Sequence, residues 1–207
     1  MKVIPIISQS YSSNTYILQD EKTEKTCIVD PGCTKNHLDK ILQTLNKIKK
    51  MPDFVICTHC HYDHVANASF FSEKGIKIFL SEINGKALMY GGERILANIF
   101  YGEMPKILLI NFLEKELNLG KTVLKILNTP GHTPGSISVY EEKTKSLFVG
   151  DLVFVDGIGR TDLPGGNFKR LKESLHKIMR LDFSKFYPGH GKIGTYAKAK
   201  KIIQQLA

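Results

Sequence analysis

The chemistry of this chain is concentrated in seven consecutive residues, 58–64, which read Thr-His-Cys-His-Tyr-Asp-His. Imidazole is a common ligand for zinc and iron, and a carboxylate adds a harder oxygen donor. Residues two apart in an extended segment project to the same side, so His59, His61 and Asp63 can share one face while His64 points elsewhere. Because four donors would crowd a single cation, the segment favours two cations side by side.

Three further donors follow where a predicted strand gives way to a turn. They are His132 in Thr-Pro-Gly-His-Thr-Pro-Gly, Asp151 directly after Ser-Leu-Phe-Val-Gly, and His190 in Tyr-Pro-Gly-His-Gly. Binding and catalytic residues lie disproportionately on loops that a rigid scaffold positions. These three residues are therefore candidates for the same metal centre.

The segment 58–64 resembles the HxHxDH signature of the metallo-β-lactamase superfamily, and the three later donors fall in the order of that family's later ligands. Asp30, followed by Pro31 and Gly32, resembles the family's early D-x-G loop. The resemblance runs from about residue 13 to about residue 195 and so covers most of the chain. It implies an α+β fold, a four-layer αββα sandwich with the metals at one edge between the sheets. Periodicity alone predicts only a mixture of α and β.

The resemblance also implies a role for each donor. Asp63 is expected to be catalytic, by orienting the attacking water or passing on its proton, and Asp30 is expected to support a loop or a ligand without binding metal. The expected cofactors are two divalent ions, with zinc first and iron or manganese as alternatives. Two cations about 3.5–4 Å apart can activate one water and polarise the substrate, so no Ser or Cys nucleophile is required. The first metal would be held by His59, His61 and His132, the second by Asp63, His64 and His190, and Asp151 would bridge them.

Residues 159–162, Gly-Arg-Thr-Asp, resemble the glyoxalase II and persulfide dioxygenase branch of the superfamily. Arg160 is expected to bind substrate by anchoring a carboxylate, with an ion pair that holds the loop as the alternative. The leading hypothesis is a thioester hydrolase of the glyoxalase II type, acting on an acyl thiol such as S-lactoylglutathione. About 17 residues follow His190, so we expect one domain over residues 1–207, as in the short glyoxalase II-like proteins, without the helical domain of the larger ones.

Other functions stay open at this stage. A mononuclear-iron persulfide dioxygenase would use His59, His132 and Asp151, and the presence of Cys60 favours that group. A ribonuclease Z-like phosphodiesterase is permitted by the basic charge, and a lactonase is a further alternative. A β-lactamase is not expected in a chain with no sign of export. A metal-binding module without catalysis is disfavoured, because a structural zinc normally has four closed ligands, not seven clustered donors.

The composition is that of a globular protein. The 207 residues are 42% hydrophobic and 24% charged, and no apolar run approaches the roughly 18–20 residues that span a bilayer. The net charge of +9 comes mostly from lysines spread along the chain, which is typical of a solvated surface but can also steer an anionic substrate. We expect a cytoplasmic enzyme with a small anionic thioester substrate and without a membrane or nucleic-acid partner. The sequence leaves the oligomeric state open.

Apolar patterning predicts the elements that carry these residues. Segment 81–105 is predicted to be a connecting helix pair, with a flap over the site as the alternative. His37 and His176 lie on predicted helices and are expected at the surface, and Cys60 either fills space beneath the site or is a reactive thiol. Strands are predicted at 3–7, 15–18, 26–29, 53–57, 76–80, 107–112, 123–127, 137–140, 146–149 and 185–187. Helices are predicted at 65–74 and 196–206 and around the apolar positions within 38–48 and 168–179.

Overall fold

A computed structural model describes residues 1–91 and 103–206. Within them, twelve strands form two six-stranded sheets. The first sheet contains, in spatial order, β1 (Lys2–Ile6), β2 (Thr15–Gln19), β3 (Thr26–Val29), β4 (Phe54–Ile56), β5 (Lys77–Leu80) and β6 (Ile110–Phe112). The second contains β12 (Gly194–Thr195), β11 (Lys185–Pro188), β10 (Ser146–Gly150), β9 (Ile137–Glu141), β8 (Thr122–Asn128) and β7 (Glu116–Leu119).

Both sheets mix parallel and antiparallel pairs. In the first sheet β1, β2 and β3 are antiparallel, whereas β3 to β6 are parallel neighbours. In the second sheet β10 and β11 are parallel and the other neighbours are antiparallel. Parallel strands end at the same edge of their sheet. The loops after β3 and β4 therefore lie at one edge of the first sheet, and the loops after β10 and β11 lie at one edge of the second sheet.

Six helices lie among the described residues. Four of them have an N-terminal capping residue, whose side chain accepts a hydrogen bond from a backbone N–H in the first turn. These bonds satisfy donors that have no partner within the helix. The helices are α1 (Lys35–Lys47), α2 (Tyr62–Val65), α3 (Ala68–Glu73), α4 (Glu82–Tyr90), α5 (Phe168–Ile178) and α6 (Tyr196–Gln204), and the capping residues are Thr34, Ser81, Asn167 and Thr195.

Alternation along the strands sorts the side chains into three apolar layers. Ile28 packs with α1 and α3, whereas its neighbour Val29 packs between the two sheets. On the second sheet Phe148 faces the same inter-sheet layer, and Leu147 packs with α5 and α6. The three apolar layers lie between four layers of secondary structure, in the order helices, sheet, sheet, helices. This arrangement confirms the expected four-layer αββα sandwich. None of the described helices has the length and apolar character needed to cross a bilayer.

The helix predicted over 65–74 is confirmed over residues 68–73 by α3, but its start is wrong, because the separate short helix α2 ends at Val65. Asn67 separates them by turning the chain toward the loop after β3. Its N–H donates to the carbonyl of Gly32, and its side-chain amide donates to the carbonyls of Pro31 and Thr34. These bonds replace the continuation of a helical ladder.

Two short strands were not predicted from the sequence. β7 alternates Glu116 and Asn118 with its two leucines, and β12 is only two residues long and begins with Gly194. Neither has the run of apolar or β-branched residues that signals a strand. Of the helix pair predicted over 81–105, the structure describes α4. Residues 92–102 of this segment lie outside the described part of the chain, and the flap alternative stays a prediction.

Candidate metal centre

All seven predicted ligands meet at one edge of the sandwich, between the sheets. The loop after β4 and helix α2 carry the first four, the β8–β9 loop carries His132, and the ends of β10 and β11 carry Asp151 and His190. The donor atoms form sets whose members all lie within 4.8 Å of one another. These sets are His59, His61 and His132, here called the first donor group; Asp63, His64 and His190, the second donor group; and His59, His64 and Asp151.

The first donor group converges through three ring nitrogens. His61 Nδ1 lies 3.1 Å from His59 Nε2 and 2.9 Å from His132 Nε2. Behind the site, His132 Nδ1–H donates to the carbonyl of Arg160 at 2.8 Å, and His59 Nδ1–H donates to Thr58 Oγ1 at 3.2 Å. In neutral rings, these bonds place the proton on Nδ1 and leave the Nε2 lone pair facing the site.

Burial keeps two of these rings neutral. It lowers the pKa of His59 well below 6.5, and neighbouring histidines lower it further. Burial, together with His132, lowers the pKa of His61 to about 4. At neutral pH no proton holds these nitrogens together, so converging lone pairs fit a cation.

Two buried atoms at this end of the site have no hydrogen-bond partner among the described residues: His64 Nε2 of the second donor group and Asp151 Oδ1 beside it. They lie 3.3 Å apart. His64 Nδ1–H donates to Asp30 Oδ2 at 2.9 Å, which leaves a lone pair on Nε2. His190 Nε2 lies 3.0 Å from Asp63 Oδ2. Because buried polar atoms are normally paired, these two atoms fit the ligands of a cation.

Asp151 lies between the two donor groups. Its Oδ2 is 3.6 Å from His132 Nε2 and also 3.6 Å from His190 Nε2. Burial opposes the ionisation of Asp151, but the neighbouring histidines, with His64 first, hold its pKa below the usual value. Burial also acts against the charge on His64, yet the surrounding carboxylates, with Asp151 first, raise the pKa of His64 well above 6.5. A bound cation would take the place of that proton.

Asp30 lies behind the site and belongs to neither donor group. Its carboxylate accepts hydrogen bonds from the Thr58 N–H at 2.7 Å, from Thr58 Oγ1 at 2.8 Å and from His64 Nδ1. Asp30 itself has a φ of +52°, a region that residues other than glycine adopt rarely. This conformation turns its carboxylate toward the loop after β4 and fixes the ring of His64.

Arg160 has two separate contacts at the site. Its backbone carbonyl orients His132, while its guanidinium forms a bidentate ion pair with Asp162 at 2.7 and 2.8 Å. Both side chains are more than half exposed. This pair lowers the pKa of Asp162 to about 2. The ion pair is therefore at the surface, and Arg160 also lines the cavity in front of the ligands.

A cavity of about 360 Å³ opens in front of the donors. Five predicted ligands line it, together with Arg160 and apolar side chains from two loops. This volume falls at the lower end of the range for small-molecule sites. The apolar part of the wall consists of Tyr11, Phe154, Ile158 and Leu163.

Gly189 makes room for whatever lies between His64 and Asp151. A Cβ at this position would overlap Asp151 Oδ1 and lie 2.5 Å from His64 Cε1. Only a residue without a side chain leaves the two unpartnered atoms facing open space. The sequence places Gly189 in a turn, but only the assembled site shows this steric requirement.

Two expectations about other side chains can now be compared with the structure. The expected surface position of His37 is wrong, because its ring is only 3% exposed and its Nε2 lies 2.8 Å from Thr15 Oγ1. Cys60 is 1% exposed and its thiol donates to Asn84 Oδ1 at 3.2 Å. This burial favours the space-filling alternative for Cys60. Sequence reasoning also missed Asn84 and the polar run 12–15, which contact ligand loops far away in the chain.

The fold and the donor set together define a family. Residues 10–190 match the metallo-beta-lactamase superfamily, whose members bind divalent metals. The chain belongs to this superfamily and is a metallo-hydrolase, which confirms the resemblance seen in its motifs.

Relatives cover nearly the whole chain. The probable metallo-hydrolase MJ0888 of Methanocaldococcus jannaschii is 34% identical over 95% of this chain and 98% of its own. The hydroxyacylglutathione hydrolase GloC of Haemophilus influenzae is 28% identical over 97% of this chain and 95% of its own. The match therefore extends from end to end in both proteins.

Solved structures of the same fold are similar over comparable lengths. TTHA1623 in a di-iron-bound form has a TM-score of 0.83 and 28% identity, with 97% of this chain and 98% of the other covered. The B3 metallo-beta-lactamase BLEG-1 has the same TM-score and identity, with both chains fully covered. ETHE1 from Myxococcus xanthus has a TM-score of 0.77 and 26% identity, with 98% and 83% covered.

Proposed function

We propose that this metallo-hydrolase cleaves acyl thioesters, with S-lactoylglutathione as the first substrate to test. The observation that carries the proposal is the position of Asp151 between two donor groups, on the wall of a cavity sized for a small molecule. The thioester class is supported by the end-to-end similarity to the hydroxyacylglutathione hydrolase GloC. A two-cation hydrolytic site needs no nucleophilic side chain.

The proposed cofactors are two divalent cations, with zinc first and iron or manganese as alternatives. The first donor group would hold one ion, the second would hold the other, and Asp151 would contact both. When bound, such a pair supplies an activated water and polarises the scissile carbonyl. Support comes from the converging lone pairs of the first group and from the two unpartnered atoms His64 Nε2 and Asp151 Oδ1. The di-iron form of TTHA1623 keeps iron among the candidates.

Asp63 is the proposed proton carrier. Burial works against its charge, but His64 and His190 keep its pKa below the usual value, so the carboxylate is ionised at neutral pH. It lines the cavity and holds His190 at 3.0 Å. From this position it can orient a water for attack and accept its proton.

Arg160 is the proposed anchor for the charged end of the substrate. Arg160 lines the cavity together with apolar side chains suited to an acyl chain. A carboxylate on the thiol leaving group could share the guanidinium with Asp162, because arginine offers five donors in a planar fork. The net charge of +9 would draw such an anion toward the protein.

The competing activities make different demands on the same residues. A mononuclear-iron dioxygenase would need only His59, His132 and Asp151, and would leave the second donor group without a role. Because the chain is similar to BLEG-1, β-lactam hydrolysis is one of the activities to be assayed. Lactone hydrolysis is another. A small cavity favours a small molecule over an RNA chain. A phosphodiester is therefore the substrate for which we expect no hydrolysis.

The test combines metal content with substrate choice. Protein purified without chelators or added metal is analysed for metals and assayed with S-lactoylglutathione, a β-lactam, a lactone and a phosphodiester. We expect close to two cations per chain and hydrolysis of the thioester. Asp151→Asn should lower this rate by more than about 100-fold and release metal. The exposed Asp156 supplies the control variant Asp156→Asn, which should keep wild-type rates.

Other results would overturn the proposal. One iron per chain, with oxygen uptake on a persulfide, would assign the dioxygenase instead. A β-lactam or lactone turned over much faster than any thioester would keep the hydrolase but replace the substrate class.

We also propose that residues 1–207 form one domain and that the chain works in the cytoplasm. The single-domain proposal is supported by the apolar layer between the sheets, to which strands from residues 15–19 through 185–188 contribute. The location is supported by Cys27, Cys33 and Cys57, which form no disulfide, since disulfides are typical of oxidising compartments.

A further inference from the structure

The polar run Ser12 to Thr15 lies at the start of β2, and all four residues are fully buried. Ser, Asn and Thr are usually exposed, and when buried they need partners. Each of these residues makes a side-chain or backbone hydrogen bond to a segment that carries Asp30, Asp63 or His190, and the Ser13 hydroxyl itself has no partner among the described residues. Ser12 Oγ accepts from the Cys33 N–H at 2.9 Å, the Ser13 N–H donates to the Asp63 carbonyl at 3.0 Å, the Asn14 N–H donates to the Gly189 carbonyl at 2.6 Å, and Thr15 Oγ1 donates to the Asp30 carbonyl at 2.5 Å.

Asn14 makes the most extensive of these connections. Its side-chain nitrogen lies 3.1 Å from the Pro188 carbonyl and 3.0 Å from the Gly191 carbonyl, on either side of His190. Its side-chain oxygen accepts from the Ser8 N–H at 2.9 Å, which assigns the orientation of the amide. The two N–H groups of Asn14 therefore span the loop that carries His190.

Tyr16, two residues further along β2, adds a second bond to the same loop. Its hydroxyl donates to the Pro188 carbonyl at 2.6 Å and lies 3.3 Å from the Asn14 amide nitrogen. These contacts join residues more than 170 positions apart in the chain. None of the hydrogen bonds that residues 12–16 make within the described part of the chain goes to the first donor group.

We propose that Asn14 is a positioning residue that sets the affinity of the second donor group for its cation, with Tyr16 in support. By holding both sides of His190, Asn14 brings that ring to Asp63 and His64. The inference rests on the proposed metal ligands and is independent of the substrate. Groups that orient a metal ligand typically change metal affinity about 10–100-fold when removed.

The test measures the binding of each cation separately. Metal-free protein is titrated with Zn²⁺ in competition with a chromophoric chelator, and His61→Ala identifies the step that belongs to the first donor group. Asn14→Leu removes the donors while keeping a similar shape and adding no charge. We expect the second-group step to weaken about 10–100-fold and the first-group step to stay unchanged. Tyr16→Phe, a milder change, should shift the same step in the same direction.

Tyr140→Phe is the matched control. The Tyr140 hydroxyl is also a buried tether, because it donates to the Asp182 carbonyl at 2.7 Å, but it does so ahead of β11, at the end remote from His190. This variant should keep both binding steps. If Asn14→Leu does not fold, the second-group binding step is compared between Tyr16→Phe and Tyr140→Phe, and only Tyr16→Phe should weaken it.

Unchanged binding in the site variants, or equal weakening of both steps, would overturn the positioning role. Wild-type protein that binds only one cation would overturn the ligand assignment on which it rests. Failure to hydrolyse thioesters would bear on the proposed substrate alone, since neither binding step depends on turnover.

Discussion

His64 Nε2 and Asp151 Oδ1 face each other at 3.3 Å in the buried floor of the site, and neither has a hydrogen-bond partner among the described residues. The ring of His64 is fixed from behind by Asp30. Two lone-pair atoms held this close repel each other unless a proton or a cation lies at the site. The space they need is kept open by Gly189, where a Cβ would overlap the Asp151 carboxylate.

Gly189→Ala is therefore expected to weaken metal binding, because the added methyl group would overlap the Asp151 carboxylate. The φ of Gly189 is not positive, so alanine can adopt the backbone and the effect is steric. We expect weaker binding at the second donor group and activity lowered by more than about 100-fold. Gly157→Ala is the control, because a Cβ there meets nothing within 4 Å. Wild-type metal content and rate in Gly189→Ala would show that no cation needs this space.

Arg160→Ala should raise KM with little change in kcat. A charge-assisted hydrogen bond contributes about 1.5–3 kcal/mol, so we expect KM for an anionic thioester to rise about 10-fold or more. The ring of His132 should stay in place, because it is held by the Arg160 backbone carbonyl and not by the guanidinium. Steady-state kinetics with an anionic and a neutral thioester separate binding of charge from general damage.

The control for this prediction is Arg170→Ala, since Arg170 is exposed near the start of α5 and does not line the cavity. An equal change of KM for the neutral and the anionic substrate would leave Arg160 with the ion pair to Asp162 as its only role.

The ligands could be predicted because their types and local turns are visible within a few residues of sequence. Asn14 could not, since its partners lie 174 and 177 residues away and a short polar run normally indicates an exposed loop. His37 is a different case. It lies four residues before Ile41 and eight before Leu45, so it shares the buried face of α1 with them. The helical period therefore points to a buried position, but the polarity of His37 led to the wrong prediction of a surface position.

His37 should make stability depend on pH. Thr15 Oγ1 uses its own hydrogen for the Asp30 carbonyl, so the His37 ring donates to that oxygen. Burial, with Lys40 adding to it, lowers the pKa of His37 from 6.5 to about 4. Between these values the unfolded chain binds more protons than the folded one, so this contribution to stability is complete above pH 6.5 and is lost as the pH falls toward 4.

The measurement is urea unfolding of the metal-loaded protein from pH 7 to pH 4.5. His37→Gln should flatten the loss of stability relative to wild type across this range. His176→Gln, which changes an exposed histidine on α5, should follow the wild-type curve. Parallel curves for His37→Gln and wild type would mean that the ring already titrates normally in the folded protein.

Asn84 should matter for the first donor group as Asn14 does for the second. It is 1% exposed, and its amide nitrogen donates to the Gly135 carbonyl at 2.8 Å while its oxygen accepts from the Cys60 thiol at 3.2 Å. It thereby joins the loop of His61 to the loop of His132. Asn84→Ala leaves buried groups without partners, which costs about 1–3 kcal/mol, and should also weaken the first-group cation.

Urea unfolding of the metal-free protein and stepwise Zn²⁺ titration measure the two effects separately. Asn36→Ala is the control, since Asn36 is exposed on α1, where a substitution should change stability by no more than about 0.5 kcal/mol. If Asn84→Ala lowers stability but leaves both cation steps intact, its bonds support the fold without setting the geometry of His61 and His132. If it weakens the first-group step alone, the two halves of the centre are positioned by separate buried asparagines.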